Sequence, residues 1–162
     1  MAQDDLTLED KSSSDETQKK NTTQYSTFFI SGRLYGIDVM KVQEVLKTQP
    51  MSEVPLAPKF VHGLINLRGQ IATAIGLREL FGIESNTNEE KMNVVCQTGD
   101  SLLSLLVDRI GDVMEVTQDD FELPPETIPE EVRRFMKGVY KVKNDLLSII
   151  EVDKVQNILK AA

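Results

Sequence analysis

The sequence predicts a mainly β protein of two small barrel-like lobes, about five strands each, with short helices and a C-terminal helix. Two observations carry that expectation. Short β-type runs bounded by turn residues recur at the spacing of about 8–12 residues that marks small barrels. The chain also repeats its own pattern: Lys59–Arg68 lies without gaps on Arg134–Lys143, and Lys41–Val45 on Arg109–Val113, at offsets of 75 and 68 residues. The difference (75 − 68 = 7) places the extra residues in the Pro-rich stretch near Glu122–Pro129.

Taken in order, the first 23 residues hold only Leu6 and Leu8 as large aliphatics beyond Met1, with six acids against three lysines. Such a stretch cannot bury enough apolar area to offset its ordering entropy, so 1–23 reads as a disordered acidic tail. Tyr25–Ile30 and Leu34–Val39, separated by Ser31-Gly32, read as a hairpin, and so do Met92–Gln97 and Ser101–Val107 around Thr98-Gly99-Asp100. Ile71–Ile75 and Leu146–Ile150 are apolar runs too short for ordinary helices. Each follows a two-residue turn in the repeat, Gly69-Gln70 and Asn144-Asp145. Leu77–Phe81 reads as a helix stopped by Gly82. Val152, Val155, Ile158 and Leu159 put one apolar face on a last helix. The repeat divides the body, 24–162, into a first lobe of about 24–84 and a second of about 91–162, with strand or helix exchange between them left open.

Composition narrows the function. The 162 residues carry 26 acids and 18 bases, net charge −8, with one histidine, one cysteine and no tryptophan. That acidity argues against general nucleic-acid binding, which needs clustered lysine and arginine. His62 and Cys96 cannot build a metal site, and Cys96 in Val94-Val95-Cys96 reads as an inert buried thiol. The glycines are too widely spaced for a phosphate loop. No catalytic residue, metal or cofactor is expected. No apolar run reaches the roughly 18 residues of a membrane span, and Met1–Lys20 lacks the apolar core of a signal peptide. These features place the chain in the cytoplasm.

The densest stretches are Tyr35-Gly36-Ile37-Asp38…Val42…Glu44, Gly63…Asn66…Arg68-Gly69 and Leu77-Arg78…Phe81, followed by Val107-Asp108-Arg109-Ile110-Gly111-Asp112-Val113. Together they resemble the CheW family, over about Gln24 to Lys160. Two positions depart from the family pattern: Thr73, where proline is common, and Gly76, where Asp often caps the following helix. The resemblance implies two SH3-like five-stranded β-barrel lobes with a hydrophobic groove between them. It also implies a non-enzymatic adaptor that couples chemoreceptors to the histidine kinase CheA. The implied partners are the CheA regulatory domain and the cytoplasmic tip of methyl-accepting chemoreceptors, with no nucleic acid and no direct membrane insertion. The protein would then sit in the cytoplasm at membrane-associated receptor arrays.

Carried over residue by residue, Val39, Val42, Glu44, Gly63, Asn66 and Arg68 are the candidates for the receptor groove. Glu44 and Arg68 are expected to lie near each other, either shaping the receptor surface or stapling two strands. Strand alternation makes one of Val39 and Val42 a core residue. Asn66 is expected to hold the turn before Gly69, and Gly63 to serve backbone geometry or the close approach of a helix. The alternative from another class is an OB-type barrel binding single-stranded nucleic acid, which requires exposed aromatics over a basic face.

Overall fold

The computed structural model describes residues 21–84 and 90–161. The expected tail falls outside these except at its end, where Thr22 and Thr23 already pair with Thr117 and Val116. The strands are β1 (Thr22–Ile30), β2 (Arg33–Asp38), β3 (Val42–Lys47), β4 (Val61–Leu67), β5 (Gln70–Gly76), β6 (Met92–Thr98), β7 (Ser101–Val107), β8 (Arg109–Thr117), β9 (Phe121–Glu122), β10 (Met136–Val142) and β11 (Asp145–Ile150). The helices are α1 (Leu77–Leu80), α2 (Glu130–Arg133) and α3 (Val152–Ala161), with 3-10 turns at Val39–Lys41 and Gln118–Asp120. The mainly β expectation holds, and all four strands of the two predicted hairpins form.

The strands make a six-stranded sheet, β8-β1-β2-β11-β10-β9, and a five-stranded sheet, β3-β6-β7-β5-β4. These orders superpose when β3, β4 and β5 are matched to β8, β10 and β11, and hairpin β6–β7 to hairpin β1–β2. Each sheet therefore takes its hairpin from one half of the chain and its remaining strands from the other. The sheets are built from 22–38 with 109–150, and from 42–107. The physical reason is parallel docking, β2 along β11 (Tyr35 opposite Ser148) and β7 along β5 (Leu102 opposite Ala72).

The repeat reaches into irregular detail. A β-bulge interrupts β4 between Val61 and Gly63, and another interrupts β10 between Met136 and Gly138, 75 residues later. A second pair breaks β3 between Val42 and Glu44, and the β1–β8 ladder between Ser26 and Phe28. The sixth strand, β9, pairs with Val139 through Glu122. Its counterpart in the other sheet is the isolated bridge between Ser52 and Leu64. The two-residue turns are Arg68-Gly69 and Lys143-Asn144, one residue earlier than the sequence suggested, with Arg68 at φ 53° and Lys143 at φ 47°.

Alternation sorts the side chains into three cores. Tyr25, Leu34, Val116, Tyr140, Leu147 and Ile149 fill the six-stranded sheet. Ile65, Leu67, Ala72, Ala74, Val95 and Leu102 fill the other. The largest core lies between them, with Phe28, Ile30 and Ile37 from one hairpin against Val94, Leu103 and Leu105 from the other. Val155 of α3 and Leu77 of α1 join this shared core, so both short-helix predictions find their apolar faces buried. At about 1.5–3 kcal/mol per fully buried large side chain, the exchange of hairpins is held chiefly by this interface.

Candidate docking cleft

The two edge strands explain where the shared core stops. On β3, Val42 and Val45 stand opposite Cys96 and Val94, whose side chains face the shared core. The bulge at Gln43 sends Glu44 and Leu46 the other way, opposite Val95 and Asn93, into the interior of the five-stranded sheet. On β8, Ile110 stands opposite Phe28, and Val113 stands opposite Ser26. Ser26 is in register with Ile37 of the shared core, so Val113 lies on the same face. Val42 and Ile110 are half-buried against the core, whereas Val45 and Val113 are 37% and 61% exposed.

Between these edges the 3-10 turn Val39–Lys41 sits against β1 and β6, one strand from each sheet. The Asp38 carboxylate accepts a hydrogen bond from the Met40 amide at 2.9 Å, which fixes the turn. Met40 itself is 87% exposed and adds apolar surface to the exposed Val45 and Val113. The margin of the shared core is thus exposed between the two edges, with Val45 and Val113 on the edge strands and Met40 on the 3-10 turn, and we read it as a cleft.

Of the six candidate residues, Val42 is half-buried at this margin and Val39 lies on the 3-10 turn beside it. Glu44 faces the other side of β3, and Asn66 and Arg68 lie at the β4–β5 turn. Strands β3 and β4 are opposite edges of their sheet, yet Arg68 Nη2 donates to Glu44 Oε2 at 3.1 Å. The pair bridges the two edges and curls the sheet into a barrel-like shape. Arg68 is 82% exposed at its side chain, so the pair contributes only about 0.2–1 kcal/mol. Asn66 Oδ1 accepts from the Gly69 amide at 3.0 Å and holds the turn that presents Arg68.

Gly63 is buried away from any partner, and what approaches it is a strand segment rather than a helix. A Cβ there would stand 2.6 Å from the Ser52 carbonyl oxygen, inside the bridge formed by Ser52 and Leu64. Gly63→Ala is expected to cost about 1–3 kcal/mol by overpacking. A urea midpoint equal to wild type would contradict that placement.

Sequence reasoning missed Met40, Val45 and Val113. The signal was present: Val39, Val42 and Val45 share one run, and the offset of 68 carries Val45 onto Val113.

The strongest electrostatic feature lies elsewhere. Asp108, between β7 and β8, accepts from Arg78 Nε at 2.9 Å, Arg78 Nη2 at 2.7 Å, Lys91 Nζ at 2.7 Å and the Ser31 amide at 2.8 Å. The three side chains are only 10–22% exposed. Burial works to raise the Asp108 carboxyl, but the donors from Arg78, Lys91 and Ser31 outweigh it and hold it well below the usual carboxylate range. Ser31 is the turn of the exchanged hairpin β1–β2, whereas Arg78 and Lys91 flank strands of the other sheet. The cluster therefore ties one sheet to the other.

At the start of α1, Gly76 provides no side-chain cap, and His62 Nε2 lies 3.1 Å from Glu79 across it. His62 thus faces the Glu79 carboxylate. Burial pushes the Cys96 thiol up to about 12. Among the described residues no group of three His, Cys, Asp or Glu side chains could hold a metal ion.

Residues 24–159 match the model of the CheW-like domain. The chain is 33% identical over 137 residues to a Treponema pallidum protein named chemotaxis protein CheW, covering 82% of this chain and 81% of that one. It is 28% identical over 129 residues to the chemotaxis protein CheW of Thermotoga maritima, covering 80% and 84%. The crystal structure of the scaffolding protein TtCheW from Thermoanaerobacter tengcongensis superposes with a TM-score of 0.73 at 29% identity, over 80% of this chain and 88% of that one.

Proposed function

The chain belongs to the CheW-like domain family, and from that membership we propose that it joins chemoreceptors to the histidine kinase CheA in a bacterial chemosensory array. The family is one of chemotaxis scaffolds, and the work proposed here is ligation rather than catalysis. The single observation that carries the reading is the cleft. An apolar helix from a receptor tip would set its anchors on Val45, Val113 and Met40, the helix-in-groove mode of recognition. One lobe face would then meet the kinase's regulatory domain, leaving the cleft free for the receptor. No described helix is long and apolar enough to cross a membrane, so the array position would come through these partners in the cytoplasm.

The nucleic-acid alternative finds no support. All nine Tyr and Phe side chains are buried or half-buried, so no stacking platform faces solvent.

Arg68→Glu tests whether the edge-bridging pair serves the receptor. Placed against Glu44, the new carboxylate repels the strand that forms one cleft wall. Stability should fall by no more than about 1 kcal/mol, because Arg68 is exposed. A pull-down with a receptor tip should nevertheless weaken while the circular dichroism spectrum stays unchanged. Undiminished receptor binding would assign the pair to stapling alone.

A further inference from the structure

The cleft carries exposed apolar side chains on an ordered frame, and the chain itself holds a segment suited to cover them. Asp4-Asp5-Leu6-Thr7-Leu8-Glu9-Asp10 sets two leucines between two pairs of carboxylates, with no basic residue among the first ten. The β3 wall presents the complement: Val42 and Val45 lie between exposed Lys41 and Lys47. Lys41 is held only loosely, its Nζ 3.7 Å from an Asp153 carboxylate that is itself 59% exposed. The β8 wall adds Val113 but shows Asp112 and Glu115 against Arg109, so an acidic segment is drawn toward the β3 side.

The point of attachment suits the same occupant. Thr22 pairs with Thr117, and Val113 lies four residues further along β8, about 13 Å away at strand rise. Leu8 precedes Asn21 by 13 residues, a reach of at most roughly 43 Å. That reach exceeds the distance to Val113, so the contact can be made within one chain, where attachment raises the effective concentration of the segment.

We propose that the N-terminal segment Asp4–Asp10 docks in the cleft of its own chain, with Leu6 and Leu8 against Val45, Val113 and Met40 and its carboxylates toward Lys41 and Lys47. The segment is then a built-in competitor for whatever the cleft receives. The proposal rests on the cleft's geometry and charge and not on the identity of its partner.

The test is paramagnetic broadening in the full chain alone. Thr7→Cys is labelled with a nitroxide, while Cys96 is protected by burial and a thiol pushed up to about 12. The expected result is a loss of amide intensity at Val42–Lys47 and Val113, independent of protein concentration. Leu6→Ser with Leu8→Ser should restore the signals, and salt at about 0.5 M should restore them in part. Uniform intensities would overturn the proposal. So would broadening that grows with concentration, or broadening that survives the two serine substitutions. Because no receptor or kinase is present, this failure is distinguishable from failure of the adaptor reading.

Discussion

Asp108→Asn is expected to lower the free energy of unfolding by roughly 3–5 kcal/mol at neutral pH, because removing one partner strands the buried cations of Arg78 and Lys91. Few single substitutions in a chain of this size should do more harm. The loss is local to the seam between sheets, since Asp108 also holds the Ser31 amide in the turn of the exchanged hairpin. The pH dependence follows in sign. The folded carboxyl lies below its unfolded value of about 3.9, so its contribution is fully present above about pH 4 and is lost as pH falls further toward the folded value. Urea unfolding of both proteins from pH 7 downward should show the gap constant to about pH 5 and narrowing below about pH 4. A variant as stable as wild type at pH 7 would remove the cluster from the account of how the sheets are joined.

The second large effect concerns binding. Val45→Asp combined with Val113→Asp should weaken receptor-tip binding by about 30-fold or more, the scale of losing a central apolar anchor worth about 2 kcal/mol. Substitution at Val113, 61% exposed, should leave stability within about 0.5 kcal/mol, whereas substitution at Val45, 37% exposed at the core margin, should cost about 1 kcal/mol. Isothermal titration with a receptor hairpin gives the affinity, and thermal melting gives the stability. A full-strength complex with the double variant would move the docking site away from the cleft. Binding to the kinase's regulatory domain serves as the internal control and should persist, since that contact is proposed for a lobe face outside the cleft.

Much of this was legible in the sequence because strand alternation and turn residues act locally. Ser31-Gly32 and Thr98-Gly99-Asp100 announced both hairpins, and the apolar face of Val152 and Val155 announced α3. The echo at offsets 75 and 68 proved deeper than pattern, since it carries the bulges at His62 and Lys137 and those on the two edge strands. What the sequence could not show was which half supplies each hairpin. Every half contains a complete set of strands, and the parallel pairings of β2 with β11 and of β7 with β5 decide for exchange.

The site was legible in the same uneven way. Glu44 and Arg68 were expected to meet, and they do, but they meet across the sheet edges instead of in the cleft. A single bulge at Gln43 separates Glu44 from it by turning Glu44 to the opposite face from Val42. Periodicity cannot register an inserted residue of that kind, which is why Val45 and Val113 went unnoticed beside Val42. Arg78 and Asp108 stood in separate motif blocks, and only the fold brings them within hydrogen-bonding distance.

The central claim is that the exposed apolar margin of the shared core receives a receptor helix. Methyl-resolved NMR of the chain, labelled at Met and the branched aliphatics and titrated with a receptor hairpin tip, tests it most directly. The account predicts the largest shifts at Met40, Val45 and Val113, with Leu56 and Leu123 unmoved although both are more than 75% exposed. Shifts confined to Leu56 or Leu123, with the cleft methyls unchanged, would contradict it.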